Sequence, residues 1–256
     1  EFHFYNDEDN VSDLLGIYIP ILRPYVLWKH FKANPELSKK AIFYCDSDIL
    51  FTKDFNLDLF LNDDVNYLSD TNSYINASYF DSKIKQVLPE KLEEYKTRDI
   101  LGEITSVIGI SREVCEANNL HSGGAQYLLK NVDDYFWSKV MNDCVIIRTY
   151  LQTVNREFFK DENSGFQSWC ADMWAVLWNG WKRGAQTICH NDLQFSWATS
   201  HINEWSKFNI NHNAGVVDNK SGLFYKGLYQ KTVPPKNLEI NPENCSFKYY
   251  ELVKQL

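Results

Sequence analysis

The sequence predicts a single-domain α/β fold, because short apolar segments typical of strands alternate with segments of helical periodicity. Residues 41–45 form a compact apolar run, which indicates a buried strand of a parallel sheet. Apolar residues also recur at helical spacing between residues 136 and 154. The chain has 256 residues, 44% of them hydrophobic, which is enough for one large domain with a substantial core.

The remaining strands and the first helices are predicted from shorter patterns. Residues 19–33 are expected to form a helix with Pro24 in its first turn. Three more strands and two more helices follow from local apolar patterns and turn signals. The strands are predicted at residues 2–5, 65–68 and 125–129, and the helices at residues 89–95 and 111–118.

Two further helices are predicted in the carboxyl-terminal half. Asn131 is expected to cap the helix that contains the periodic run, with Asp134 at its third helical position. Residues 167–182 form the other helix, and Gly184 marks its end. From about residue 203 the chain is loop-rich, so we expect a tail that wraps around the domain and its site rather than a second core.

Composition excludes a general nucleic-acid binder. The formal net charge is −8, and Lys and Arg do not cluster as phosphate neutralisation requires. A phosphate-bearing substrate would therefore need a bound cation. The aromatic content of 15% suits an enzyme that handles sugars, because sugars stack on aromatic rings, although most of these side chains are expected to fill the core.

Cysteine usage indicates a reducing compartment. None of the six cysteines forms a C-x-x-C pair, so a zinc ribbon is not expected. Cys45, Cys144 and Cys170 lie within apolar patterns and are predicted to be buried thiols. No run of roughly 18 apolar residues is present. We therefore expect a cytoplasmic protein without a transmembrane helix or signal peptide.

Two acids interrupt the apolar segment at residues 41–51, and they are the strongest functional signal. Burying unpaired carboxylates costs several kcal/mol each, and a divalent cation removes that cost. In extended backbone, Asp46 and Asp48 would point the same way and share one ligand. Mg²⁺ and Mn²⁺ prefer such oxygen donors. The alternative is a helix-capping or strand-end pair that backbone groups satisfy.

The segment YCDSDILF at residues 44–51 resembles the DxD element of glycosyltransferases with the GT-A fold. Three later segments resemble the other elements of that family in the expected order. Residues 122–129 (SGGAQYLL) are similar to its glycine-pair strand, and residues 169–174 (WCADMW) to its acidic helix start. Residues 212–216 (HNAGV) are similar to its carboxyl-terminal His-x-x-Gly segment. The nearest resemblance is to chlorella-virus-type glycosyltransferases and plant xyloglucan xylosyltransferases.

This resemblance implies a Rossmann-like mixed sheet flanked by helices, and transfer of a sugar from a UDP- or GDP-sugar to a glycan or other hydroxyl acceptor. It implies that His212 completes the metal site with Asp46 and Asp48, and an imidazole suits Mn²⁺ better than Mg²⁺. It also implies that Asp172 faces the reaction centre, as the carboxylate that orients the acceptor or stabilises the transition state. The alternatives are a surface-loop histidine and an acid that only complements a helix dipole.

Four residues are candidates for substrate binding. Gly123 and Gly124 would let the backbone approach the donor sugar, or they form a plain turn. Asp70 follows a predicted strand, at the end of the sheet that borders the ligand crevice in such folds, or it completes a strand-end turn. Lys226 would neutralise the diphosphate from the carboxyl-terminal segment.

Two other function classes fit parts of the same sequence pattern. A haloacid-dehalogenase-like phosphatase would use Asp46 as nucleophile, but its signature has Thr or Val where this chain has Leu50. A non-catalytic sugar-binding module is the other alternative.

Family members carry more βα units before the DxD strand, whereas only 45 residues precede Asp46 here. Either the base-binding part is abbreviated, or the chain is a fragment of a longer protein. Of the two we favour the fragment, in which residues 1–256 are a catalytic domain that lacks part of the nucleotide-binding half.

Overall fold

Seven short strands form two mixed sheets in the computed structural model, which describes His3, Tyr5, residues 18–229 and residues 232–255. Helices pack around these sheets, so the predicted α/β class and mixed sheet are confirmed. The strand predicted at residues 2–5 depends on Phe2 and Phe4, which lie outside the described residues. The strands are β1 (Ile42–Cys45), β2 (Ile49–Phe51), β3 (Asn66–Asp70), β4 (Gly123–Leu129), β5 (Thr187–Cys189), β6 (Phe195–Trp197) and β7 (Ile210–His212).

The main sheet has the order β1-β4-β3-β5. Strand β4 is antiparallel to both β1 and β3, whereas β5 is parallel to β3. The strand predicted at residues 41–45 is present, but its placement in a parallel sheet is wrong. Within the described sheet β1 is an edge strand antiparallel to β4, and only its Tyr44 is buried. An apolar run indicates burial, but it carries no information about the direction of the neighbouring strand.

The second sheet has the order β2-β7-β6, with β2 antiparallel and β6 parallel to β7. Strand β7 and the last helix both come from the tail predicted to be loop-rich, so this region is more regular than expected. Aromatic residues of the tail, Phe224, Tyr249 and Tyr250, form a small cluster against Leu50 of β2. The tail therefore packs directly on the second sheet.

Nine α-helices occur in the described part of the chain. The helices predicted at residues 19–33, 89–95, 111–118 and 167–182 are present, three of them beginning with a short 3₁₀ turn. Those turns are Ile19–Ile21, Pro89–Lys91 and Ser168–Cys170. The α-helices are α1 (Leu22–Ala33), α2 (Asn72–Ile75), α3 (Ala77–Ser82), α4 (Leu92–Lys96), α5 (Ile100–Ile108), α6 (Arg112–Ala117), α7 (Asp134–Phe158), α8 (Ala171–Lys182) and α9 (Cys245–Val253).

Helix α7 packs against α1 and α8 and supplies the centre of the core. The predicted cap of this helix is wrong by two residues. The carboxylate of Asp133 accepts the amide hydrogen bond of Phe136 at 2.7 Å, whereas Asn131 has a φ of +57° and turns the chain. Asn tolerates that left-handed conformation. The six positions that predicted the helix are all buried: Phe136, Val140, Cys144, Ile147, Leu151 and Val154.

All six cysteines are free thiols. Cys144 is buried as predicted, but Cys45 and Cys170 are only partly buried. Cys170 lines a cavity described below. No helix formed by residues 18–229 or 232–255 has both the length and the apolar character needed to cross a membrane.

Gly123 allows β4 to run close to β3. A Cβ at this position would lie 2.2 Å from the carbonyl oxygen of Ser69 and 2.9 Å from the Cβ of Leu68. Gly180 in α8 offers a contrast, because a Cβ there would meet only the Cβ of Ala185, at 3.9 Å. Close packing between β3 and β4 therefore requires a glycine at position 123. At position 180 the surroundings leave room for a side-chain methyl group.

These two glycines should respond in opposite ways to substitution. Gly123→Ala should lower the free energy of unfolding by about 1–3 kcal/mol, because the added methyl group overlaps backbone. Gly180→Ala should leave stability unchanged or raise it by up to about 1 kcal/mol, because alanine favours the helix. Urea denaturation followed by circular dichroism measures both. Equal stability of the two variants would contradict the packing account of Gly123.

Candidate metal centre

Asp46 and Asp48 lie on the turn that carries the chain from β1 in one sheet to β2 in the other. The expectation that extended backbone aligns them is therefore wrong, since residues 47 and 48 form the turn itself. Pairing of β2 with β7 places His212 opposite Ile49, the residue after Asp48. The amide of Asn213 donates to the carbonyl of Asp48 at 3.0 Å, which fixes the turn against the tail.

The three predicted metal ligands are close together. His212 Nε2 lies 3.2 Å from Asp46 Oδ2 and 3.3 Å from Asp48 Oδ1. Donor atoms at adjacent octahedral positions, each about 2.1 Å from one ion, are about 3 Å apart, so the spacing fits a shared cation. One donor atom from each residue lies within 4.8 Å of the others, and among the described residues no second group of this kind occurs. These side chains can therefore hold a metal ion.

Two basic side chains pair with these acids. Lys226 forms an ion pair with Asp48, and Arg23 forms ion pairs with both Asp46 and Asp172. Burial alone would raise the pKa of Asp48, but the hydrogen bond and charge of His212, together with the charge of Lys226, hold that pKa well below its ordinary value. The site therefore combines an ionised carboxylate at Asp48 with basic side chains on both sides of the candidate metal ligands.

Arg23 is a site residue that the sequence analysis missed. It is the second residue of α1, where the positive end of the helix dipole disfavours a cation. Burial also opposes its charge, but the surrounding tyrosines and Asp172 outweigh burial and raise its pKa further above the ordinary value. The sequence therefore did contain a signal for Arg23, namely a cation in the first turn of a predicted helix. Such a cation indicates that an acid elsewhere in the fold compensates its charge.

Asp172 is buried at the second position of α8, so it both complements the helix dipole and faces Arg23. Tyr18 donates a hydrogen bond from its hydroxyl to Asp172 Oδ1 at 3.0 Å and accepts one from the amide of Asp172 at 3.1 Å. Burial, and secondly the charge of Asp172, raise the pKa of Tyr18 well above its ordinary value. The hydroxyl therefore keeps its proton and orients the carboxylate.

A cavity of about 770 Å³ opens beside these groups. Its walls include Asp46, Asp172, His212 and Lys226 among the residues proposed from the sequence. This volume lies within the usual range for small-molecule sites. The cavity therefore brings two of the candidate metal ligands, the candidate catalytic acid and the candidate diphosphate ligand to one space.

Asp48 and the three remaining substrate-binding candidates do not line this cavity. Asp70 is exposed, and its carboxylate accepts the amide hydrogen bond of Asn72 at 2.9 Å, as in a strand-end turn. Gly123 and Gly124 are buried, and a Cβ on Gly124 would lie 2.3 Å from the hydroxyl oxygen of Tyr127. Packing accounts for both glycines, and contact with a donor sugar stays a prediction for all three residues.

A second cavity, of about 540 Å³, lies beside the start of β3 and the end of β4. Both of its basic wall residues form ion pairs within the protein, Lys130 with Asp63 at 2.7 Å and Arg183 with Asp133 at 2.7 Å.

Gln126 of β4 lies directly behind His212 and was also missed. It is fully buried, its Nε2 lies 3.5 Å from His212 Nδ1, and its Oε1 has no hydrogen-bond partner in the described chain. A half-turn of the amide exchanges its oxygen and nitrogen, so that Oε1 accepts from Nδ1–H. Such an acceptor directs the Nε2 lone pair between Asp46 and Asp48, as the outer partner of a metal-binding histidine does.

Comparisons with protein-family models, with curated proteins and with solved structures found no match to this chain. The functional argument therefore depends on the geometry of the site and on the sequence motifs that it brings together.

Gln126→Leu should lower the affinity for Mn²⁺ by roughly 10- to 100-fold, because His212 loses the acceptor that fixes its ring. In a His212→Ala background the same substitution should cause no further loss, because two residues that act as a unit are not additive. Isothermal titration of the single and double variants measures this coupling. Equal losses in both backgrounds would show that Gln126 does not act through His212.

Proposed function

We propose that this chain is a metal-dependent glycosyltransferase domain with a GT-A-like arrangement, which transfers a sugar from a UDP- or GDP-sugar to a hydroxyl acceptor. One observation supports this most. Each of the four segments that resemble the family contributes a wall residue to the same cavity, namely Asp46, Ala125, Asp172 and His212. These segments are far apart in the sequence. The mixed sheet flanked by helices is compatible with the same fold.

The donor set of two carboxylates and one imidazole fits a divalent cation such as Mn²⁺. When bound, that cation supplies Lewis-acid stabilisation of the leaving diphosphate. Lys226 and Arg23 lie on the cavity wall beside these ligands and add positive charge at the same end. Positive groups aimed at developing negative charge are usually the largest contribution to such catalysis. We assign both cations to diphosphate stabilisation.

Asp172 is assigned to the acceptor side of the reaction. Arg23 and Tyr18 hold its two carboxylate oxygens, so the side chain has one fixed orientation toward the cavity. A carboxylate fixed in this way can orient an acceptor hydroxyl and accept its proton. Arg23 links Asp172 to Asp46, which keeps the acceptor group next to the metal ligands.

The rival phosphatase mechanism needs one oxygen of Asp46 to attack phosphorus. Here Arg23 contacts Oδ1 of Asp46, and His212 Nε2 lies 3.2 Å from Oδ2. An imidazole between the two acids has no role in that rival mechanism. This arrangement favours a metal ligand over a nucleophile at Asp46.

Asp48→Asn should weaken binding of Mn²⁺ with UDP- or GDP-sugar by roughly 100-fold, about 3 kcal/mol, because it removes a charged ligand. Asp64→Asn, which changes an exposed acid outside this cavity, serves as the matched control and should have no effect. Calorimetry measures both affinities, and thermal melting confirms that each variant folds. Unchanged donor affinity in Asp48→Asn would rule out the metal-dependent site.

His212→Ala should weaken Mn²⁺ binding by more than it weakens Mg²⁺ binding. The reason is that Mn²⁺ accepts an imidazole nitrogen, whereas Mg²⁺ prefers oxygen ligands alone. Titration of the variant and the parent chain with each metal gives the two ratios. Equal ratios would remove His212 from the ligand set. Hydrolysis of p-nitrophenyl phosphate that depends on Asp46 would instead support the phosphatase.

A further inference from the structure

Trp169 is unusual among the tryptophans of this chain. All eight lie in the described residues, and Trp169 is the exposed one, with 56% of its surface accessible. Its ring lines the cavity that contains the candidate metal ligands. A large aromatic surface left open inside a concave site indicates that a ligand covers it.

The position of Trp169 is fixed by the residues around Asp172. The residue lies in the 3₁₀ turn Ser168–Cys170 that leads into α8. Its carbonyl oxygen lies 2.7 Å from the hydroxyl of Tyr18, which shares its single proton between this oxygen and Asp172 Oδ1. The ring of Tyr18 meets the indole edge-on, with centroids 5.7 Å apart and planes at 80°. The indole is therefore held in place while its exposed surface stays available to a ligand.

Contacts in the site run from Trp169 to the candidate metal ligands. Tyr18 contacts both Trp169 and Asp172, and Arg23 joins Asp172 to Asp46. Trp169 is thus linked through Tyr18 to the candidate catalytic acid, and that acid is linked through Arg23 to the metal ligand Asp46. A sugar ring stacked on the indole would present a hydroxyl group toward Asp172.

The chemistry of this end of the cavity favours a neutral sugar. The wall residues nearest Trp169 in the sequence are Gln167, Cys170 and Met173 besides Asp172, and Tyr74 also contributes to the wall. The two cations of the cavity wall, Arg23 and Lys226, already form ion pairs with Asp46, Asp172 and Asp48. A pyranose ring matches this surface, since its C–H face stacks on the indole while its hydroxyls bond to polar groups.

We propose that Trp169 is the stacking platform of an acceptor subsite that binds a neutral pyranose unit of a glycan. Its role as an acceptor subsite rests on the proposed glycosyltransferase function, whereas the sugar contact itself does not. The contacts that hold Trp169 come from Tyr18 and not from the metal ligands, so the subsite should bind sugar without metal and without nucleotide.

Saturation-transfer NMR with cellotetraose, xylotetraose and maltotetraose, in the absence of metal, tests the subsite. At least one of these oligosaccharides should bind the parent chain at millimolar concentration. Trp169→Ala should weaken that binding at least tenfold, whereas Trp169→Phe should retain most of it. Tyr135→Ala, which removes an exposed aromatic ring outside the cavity, is the matched control and should leave binding unchanged.

The outcomes separate this proposal from the proposed function. The Asp48→Asn variant should lose metal-dependent binding of the nucleotide sugar but should still bind the oligosaccharide. Oligosaccharide binding without any metal-dependent donor binding would support the subsite and contradict the glycosyltransferase. The subsite proposal is wrong if none of the three oligosaccharides binds, or if Trp169→Ala binds them normally. It is also wrong if Trp169→Ala loses nucleotide-sugar affinity alone.

Discussion

Three carboxylates converge at one cavity, and the structure must compensate their mutual repulsion. Asp48 and Asp172 are buried, and Asp46 is partly exposed next to them. Arg23 and Lys226 supply two positive charges against these three negative ones, with His212 between two of the acids. Removing a partner from a buried charge costs several kcal/mol. Keeping these groups together therefore constrains the elements that carry them.

That need explains why distant segments of the chain are fixed to each other. The turn between β1 and β2 is tied to the tail by the pairing of β2 with β7 and by the hydrogen bond from the amide of Asn213 to Asp48. The start of α1 is tied to the start of α8 because Arg23 on one contacts Asp172 on the other. The site is thus a junction between the main sheet, the second sheet and two helix ends.

The sequence could predict the residues with a strong local pattern but not their relative geometry. Asp46 and Asp48 stood out because acids interrupt an apolar run, and the helical spacing from Phe136 to Val154 identified α7. The direction of β1 was mispredicted because β4, its partner, lies about eighty residues further along and no local pattern reports that pairing. Gln126 was missed because a buried glutamine has no sequence signature, and its role depends on the ring of His212.

Because Arg23 contacts two of the acids, substitutions of Asp46 and Asp172 cannot measure the role of each acid separately. One guanidinium contacts Asp46 through Nη1 and Asp172 through Nη2, so a change at either acid alters the position of the group that orients the other. Substitution at Asp46 therefore acts on the metal ligands and on the acceptor side together, and its effect is not additive with that of Asp172. Asp48 contacts Lys226 and His212 instead, so it reports on the metal site with less disturbance of Asp172. The same geometry that couples the two halves of the site makes Asp48 the cleaner position for testing the metal.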